Sequence, residues 1–387
     1  MKIAKSVEKL GTEAVYNIFA RTKKLAKQGK KIIDLSLGQS NFKSPNHVVE
    51  ATIKALKDGH HGYTLPNGII ECREAVSRKI NSLYNVKINP ERIVIMPGGK
   101  PTMHYAISFF GEPGAEIIYP DPGFPIYQSM INFTGAKAVP YNLTEKKELT
   151  IDPDKIFSLI NERTRLLIIN NPHNPTGSFT EKKVIDKLAK GLKNFPHITI
   201  LSDEIYSRLI FDKKEIPTMF NYPELYNRLI VLDGWSKTYA MTGWRLGWGV
   251  WPENLIKHLF KFCVNNHSCV NAAAQFGAIA ALEGPEDHLN HMMEEFTKRR
   301  KLIVDGLKNI KGIEFVVPGG GFFIFPNVKG TGMNGEEFTE KCLTEAGVAI
   351  IPGTAFGKFA INNVRLNFVT SEKDITNALE KIDKLLR

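Results

Sequence analysis

The strongest constraint on this chain is an alternation. From Glu91 to Val250, short apolar runs rich in Val, Ile and Leu take turns with segments of helical spacing. The strand-like runs are Glu91 to Met96, Glu116 to Tyr119, Ala136 to Val139, Arg165 to Asn170, Ile198 to Ser202, Arg228 to Leu232 and Leu246 to Val250. Pro101 to Phe110, Pro125 to Phe133, Pro153 to Ile160 and Glu181 to Leu192 are the helical segments between them. Strand and helix in turn predict a mostly parallel sheet covered on both faces, the core of an α/β domain.

The remainder reads differently. Helical spacing over Ala272 to Leu307, broken at Gly284-Pro285, precedes short strands at Glu314 to Val317, Gly321 to Phe325, Val348 to Ile351 and Val364 to Val369. Helices at Gly335 to Ala346 and Glu372 to Leu386 complete an α+β unit. At the other end, a helix over Val15 to Gln28, a strand over Lys31 to Gly38 and a helix capped by Asn46 are expected. With 387 residues the chain exceeds one ordinary core. The expected division is 1–45 as N-terminal arm and part of a small domain, 46–285 as a large domain, and 286–387 as the rest of the small domain.

Composition narrows the partners. The net charge of +11 is spread over amphipathic lysines such as Lys182, Lys183, Lys187, Lys190 and Lys193, which reads as solvated helix faces. No zinc-ligand pattern or basic recognition helix accompanies it, so neither nucleic acid nor metal is expected. The four cysteines, Cys72, Cys263, Cys269 and Cys342, show no paired spacing and read as free thiols of a reducing compartment. The start of the chain is charged and no apolar run approaches a membrane span. A soluble cytoplasmic protein is expected.

In a parallel sheet, ligands bind beyond the carboxyl ends of the strands, and here the chemically able residues stand at those ends. Gly98-Gly99-Lys100-Pro101 opens a helix whose first amides suit an anion. Asp203 ends an apolar strand, where an unpaired carboxylate is costly and a cation is its natural partner. Lys237 follows the break at Asp233-Gly234, with Ser236 and Arg245 as further anion donors. Each alone has a bland reading: a strand-to-helix turn, a helix cap, a loop lysine in water.

Together they carry a pattern. Asn170-Asn171-Pro172-His173-Asn174-Pro175-Thr176-Gly177, Ser202-Asp203-Glu204-Ile205-Tyr206 and Ser236-Lys237-Thr238-Tyr239-Ala240-Met241-Thr242-Gly243-Trp244-Arg245 closely resemble, in that order, the class I/II aminotransferases of pyridoxal-phosphate fold type I. Gly62-Tyr63-Thr64 and Asn363-Val364-Arg365-Leu366 extend the resemblance over nearly the whole chain. It implies that Lys237 forms a Schiff base with pyridoxal phosphate and later shuttles a proton. Asp203 then keeps the ring nitrogen protonated, Tyr206 and Asn174 bond the ring oxygen, and Phe124 stacks on the ring. The phosphate falls to the Gly99 and Lys100 backbone amides, Ser236 and Arg245, with Tyr63 reaching in from the second subunit of a homodimer. Arg365 grips the substrate α-carboxylate, and Gly38 lets the small domain close.

The substrate stays open at this stage. Lys100 matches a lysine that, in bacterial aspartate-type relatives, attracts a distal carboxylate, which favours aspartate or glutamate. Glu13, in Gly11-Thr12-Glu13, opposes that, since such relatives carry small hydroxyl residues there. Pro101 replaces a frequent glutamine. A β-lyase on the same fold, a transaminase for neutral, aromatic or basic amino acids, and a cofactor-sensing regulatory module are the alternatives. Phe322-Phe323 reads as core strand, one of whose rings could border the substrate.

Overall fold

The computed structural model describes all of residues 1–387 except 12–13, 146–147 and 213–214. The first strand, β1 (Ile33–Asp34), is followed by the seven that build the main sheet: β2 (Ile93–Met96), β3 (Glu116–Asp121), β4 (Lys137–Asn142), β5 (Thr164–Asn170), β6 (Thr199–Asp203), β7 (Leu229–Gly234) and β8 (Gly247–Val250). Their order across the sheet is β2-β8-β7-β6-β5-β3-β4. β3 to β7 pair in parallel, while β8 runs antiparallel to both its neighbours. Because β8 is antiparallel to β2 and to β7, β2 and β7 point the same way. The carboxyl ends of β2, β5, β6 and β7 therefore share one edge of the sheet, and the chain entering β8 joins them there.

Side-chain alternation explains the layers. Leu166, Ile168, Leu201, Ile230 and Leu232 face a core with Met103, Ile107 and Ile131 from the helices Lys100–Phe110 and Ile126–Thr134. Their neighbours Leu167, Ile169, Ile200 and Val231 face the other way, toward Leu188, Leu192, Ala278 and Ala281 from the helices Lys182–Leu192 and Ala272–Glu283. Successive strand residues point to opposite faces and both faces are covered, so continuous apolar runs such as Leu166 to Ile169 are what this sheet requires.

The second unit is built on shorter pieces: β9 (Phe323–Ile324), β10 (Val348–Ala349), β11 (Ile351–Pro352) and β12 (Val364–Asn367). β9, β12 and β11 make a three-stranded antiparallel sheet, while β10 takes β1 as a parallel partner. The helices Asp287–Lys308 and Glu372–Leu386 pack on this unit through Phe296, Ile303, Leu307, Ile375 and Leu379. Leu35, just after β1, is buried in the same core.

Several local expectations change. Only Ile33–Asp34 of the segment from Lys31 to Gly38 pairs as regular strand. Beyond it the Asp34 carboxylate accepts from the Ser36 N–H and hydroxyl at 2.8 and 2.6 Å, which turns the chain off the ladder. Glu314 to Val317 forms no strand beyond a bridge between Glu314 and Asn327. The helix expected to be capped by Asn46 instead begins at it, with Pro45 at the cap. A helix the apolar periodicity did not single out covers Glu253–Asn266. Among the described residues no helix is long and apolar enough to cross a membrane.

Candidate active site

The strand ends enclose a cavity of about 500 Å³ bordered by both units. Its anion corner begins where β2 turns into the helix Lys100–Phe110, with Gly99 at the N-cap. Gly98 has φ +93°, and a Cβ there would stand 2.3 Å from Nη2 of Arg245. A Cβ on Gly247 would stand 2.7 Å from the Gly98 carbonyl oxygen, so two glycines let the entry to β8 pass directly under the turn. Arg245, itself at φ +56°, is fixed by donating from Nη1 to the Thr242 carbonyl at 2.7 Å. Gly99, Lys100, Ser236 and Arg245 all line the cavity, so helix amides, a hydroxyl and a guanidinium border one space, a donor set that suits a phosphate ester.

Asp203 lies at the end of β6 and is 2 % exposed. Its carboxylate accepts from the Tyr127 hydroxyl at 2.5 Å and from the Ile205 N–H at 3.2 Å. Burial pushes its pKa up to about 6, while the Tyr127 and Ile205 donors and the Lys237 charge pull it down. An acid so buried and held by neutral hydrogen-bond donors suits a cationic ring N–H. Asn170, at the end of β5, braces the region: its Nδ2 donates to the Asp203 carbonyl at 2.9 Å and its Oδ1 accepts from the Asn174 N–H at 2.9 Å.

Lys237 sits not in an open loop but in a single helical turn, Trp235–Thr238, anchored where Trp235 Nε1 donates to the Ala278 carbonyl at 3.0 Å. Its ammonium donates to the Gly38 carbonyl at 2.8 Å, across from the small unit. There Arg365, on β12, is held between the rings of Phe323 and Phe356, at 4.5 and 4.7 Å from their centroids. The same guanidinium donates to Asn174 Oδ1 at 3.0 Å and to the Ser36 carbonyl at 2.7 Å. Lys100 holds its ammonium 5.5 Å from the Phe124 ring centroid at the cavity wall.

The structure therefore gathers Gly38, Gly99, Lys100, Phe124, Asn174, Asp203, Tyr206, Ser236, Lys237, Arg245 and Arg365 around one space. Tyr63 does not join them: it is 92 % exposed on the outside of this chain. Phe323 borders the cavity while Phe322 is buried beside it. Glu13 lies outside the described residues. Sequence reading missed Tyr127 and Phe356. Tyr127 could have been found from its place in the first turn of the helix that follows Phe124, whose ring it meets edge-on at 6.0 Å between centroids. Phe356 had no comparable signal, since its partner Arg365 is brought to it by the antiparallel pairing of β11 with β12.

Comparison with known proteins agrees with this geometry. The family model described as aminotransferase class I and II matches residues 30–382. An aspartate aminotransferase of Pyrococcus horikoshii is 35% identical over 387 residues, covering 99% of this chain and 97% of its own. The crystal structure of the aspartate aminotransferase from Rhizobium meliloti superposes with a TM-score of 0.95 at 29% identity, covering 100% of this chain and 99% of its own. That of the aromatic aminotransferase from Pyrococcus horikoshii superposes with a TM-score of 0.89 at 31% identity, covering 94% and 98%. By motif, architecture and site, the chain belongs to the class I and II aminotransferases.

Proposed function

We propose that this transaminase holds pyridoxal phosphate in the cavity and moves an amino group from aspartate or glutamate to a 2-oxo acid. The observation that carries the reading is the convergence of Lys237, Asp203 and Arg365, from two structural units, on one space with an anion cup at its end. Pyridoxal phosphate, when bound, supplies an aldehyde that exchanges with amines and a ring that takes up the electron pair of a cleaved Cα–H bond.

The chain's own groups supply the rest. The backbone amides of Gly99 and Lys100, with Ser236 and Arg245, would hold the phosphate, and Phe124 would pack on the ring. Asp203 keeps a proton on the ring nitrogen, and Tyr206 and Asn174 bond the ring oxygen. Lys237 would offer the amine that joins the cofactor's aldehyde, and its amino group would take up the proton that leaves the substrate Cα. Arg365 orients the α-carboxylate, and its bond to Asn174 ties the substrate end of the site to the cofactor end. Lys100 at the wall suits a second, distal carboxylate.

The functional unit in this reading is a homodimer. Val49, Ile53 and Leu56 follow one side of the helix Asn46–Lys57 and are 38, 46 and 48 % exposed, and the chain leads from this helix, with His61 Nε2 bonded to the Leu56 carbonyl at 2.7 Å, to the exposed Tyr63. A second copy would cover this apolar strip and receive Tyr63 at its phosphate cup. The buried thiols Cys72, Cys263 and Cys342, all unpaired, suit a cytoplasmic location. A half-reaction screen tests the substrate: holoprotein is mixed with aspartate, glutamate, alanine, arginine or aromatic amino acids, and loss of the bound cofactor's absorption band is followed. Fastest loss with the dicarboxylic amino acids is expected. Pyruvate and ammonia formed without an oxo-acid acceptor would mark a β-lyase instead.

A further inference from the structure

One buried carboxylate outside the roles above is placed to govern the substrate-carboxylate grip. Asp121, the last residue of β3, is 1 % exposed and stands three residues before Phe124. Its two oxygens reach across to the small unit, where Oδ2 accepts from the Lys358 N–H at 3.2 Å and Oδ1 from the Phe359 N–H at 3.3 Å. The carboxylate thus caps the turn Lys358–Ala360. Gly357 is required at this contact: its φ is +152°, and a Cβ there would stand 1.9 Å from Asp121 Oδ1. Next to it, the Gly123 N–H donates to the Phe356 carbonyl at 2.7 Å.

These bonds stitch the loop bearing Phe124 to the turn bearing Phe356, and Phe356 is one of the two rings that hold the Arg365 guanidinium. We propose that Asp121 is a positioning residue for substrate recognition: by capping the Lys358–Ala360 turn it keeps Phe356 against Arg365 and so sets the grip on the α-carboxylate. Burial raises the Asp121 carboxyl, and the two backbone donors oppose that shift, as expected of an acid serving as a cap rather than meeting solvent. The proposal rests on the reading of Arg365 as the carboxylate ligand, and the test separates the two.

In the holoenzyme, Asp121→Ala is expected to raise KM for both the amino acid and the oxo acid by about tenfold or more, since a misaligned ligand weakens substrate binding. The turnover number should stay within about threefold and the cofactor dissociation constant, from absorbance titration, within about twofold. Asp121→Asn keeps a carbonyl oxygen for one of the two N–H groups and should recover much of the loss. Gly357→Ala attacks the same contact from the other side and should reproduce the KM rise. The double variant Asp121→Ala/Gly357→Ala should be no worse than either single one. Should Asp121→Ala fail to fold, Gly357→Ala and Asp121→Asn carry the test alone.

Unchanged KM in Asp121→Ala and Gly357→Ala overturns the proposal, as does a KM rise that merely follows loss of cofactor affinity. Arg365→Ala, measured alongside, distinguishes the failures. If Arg365→Ala leaves KM unchanged, the carboxylate reading itself falls; if it raises KM and the cap variants do not, only the positioning role falls.

Discussion

The two walls of the cavity are built by different means. On the sheet side, Asp203 ends β6, and Gly99, Asn174 and Lys237 stand a few residues beyond β2, β5 and β7, strands whose ladder and two covered faces fix where each one ends. On the other side, Phe323, Phe356 and Arg365 hang from strands of two to four residues and are placed by contacts among their own side chains. In the proposed chemistry the wall fixed by the backbone handles the cofactor's charge, and the wall fixed by side-chain packing grips the substrate. Changes to the first should lower turnover, and changes to the second should weaken substrate binding.

The largest effect expected is at Asp203. Asp203→Asn should lower kcat by about 10²–10³-fold, the scale of a preorganised electrostatic contact. It should also stabilise the ligand-free protein. Burial lifts this carboxyl from 3.8 to about 6, so the native state keeps a proton the unfolded chain has lost. Stability therefore falls as pH rises through that window, and the variant, lacking the group, escapes the fall. Activity and the pH dependence of Tm, measured together, check both halves.

Tyr127→Phe comes next, with a loss of about tenfold near neutral pH for removing a hydrogen bond to a buried charge. The carboxyl then rises further, so the acid limb of the kcat profile moves to higher pH; an unmoved limb would show that Tyr127 only fills space. On the opposite wall, Phe356→Leu removes one of the two rings flanking Arg365. Its expected effect is a KM increase of about threefold to tenfold, the worth of a partly desolvated cation–π contact, with kcat retained. A loss confined to kcat would erase the contrast between the walls.

Glu204 supplies the smallest effect and the control. It adjoins Asp203, but its carboxylate points away from the cavity and accepts from Ser202, Thr218 and the Met219 N–H at 2.8, 2.7 and 3.0 Å. Burial raises it to about 7 from 4.5, so it too costs stability as pH rises across that range. Glu204→Gln should flatten that slope in Tm while changing kcat/KM by less than about twofold.

What the sequence disclosed follows the same division. The main strands were legible because burial on both faces demands unbroken apolar runs, and the groups at their ends because the topology gathers carboxyl ends on one edge. Lys237 and Asp203 were placed on that basis, and Asn174 by the motif that carries the resemblance. The antiparallel course of β8, which brings Arg245 into the cup from the opposite strand end, left no mark in Leu246 to Val250, since the pattern is apolar whichever way the strand runs. Arg365 was found by resemblance, but its seat between Phe323 and Phe356 was not. Two-residue strands such as β1 and β9 are too short for period-two alternation to show, and their partners lie far away in the chain. Tyr127 and Asp121 escaped because an acid or a phenol near a strand end has many ordinary roles until its partner is seen.

The proposed chemistry makes Lys237 the residue through which both walls act, and it can be tested by trapping. Holoprotein is reduced with borohydride, which fixes the cofactor to whichever amine it is joined to, and the digest is mapped by mass spectrometry. Lys237, the residue bonded to Gly38 across the cavity, should carry the pyridoxyl mass. The same mass on Lys100 or any other lysine, or on none, would contradict the assignment on which the roles of Asp203 and Arg365 depend.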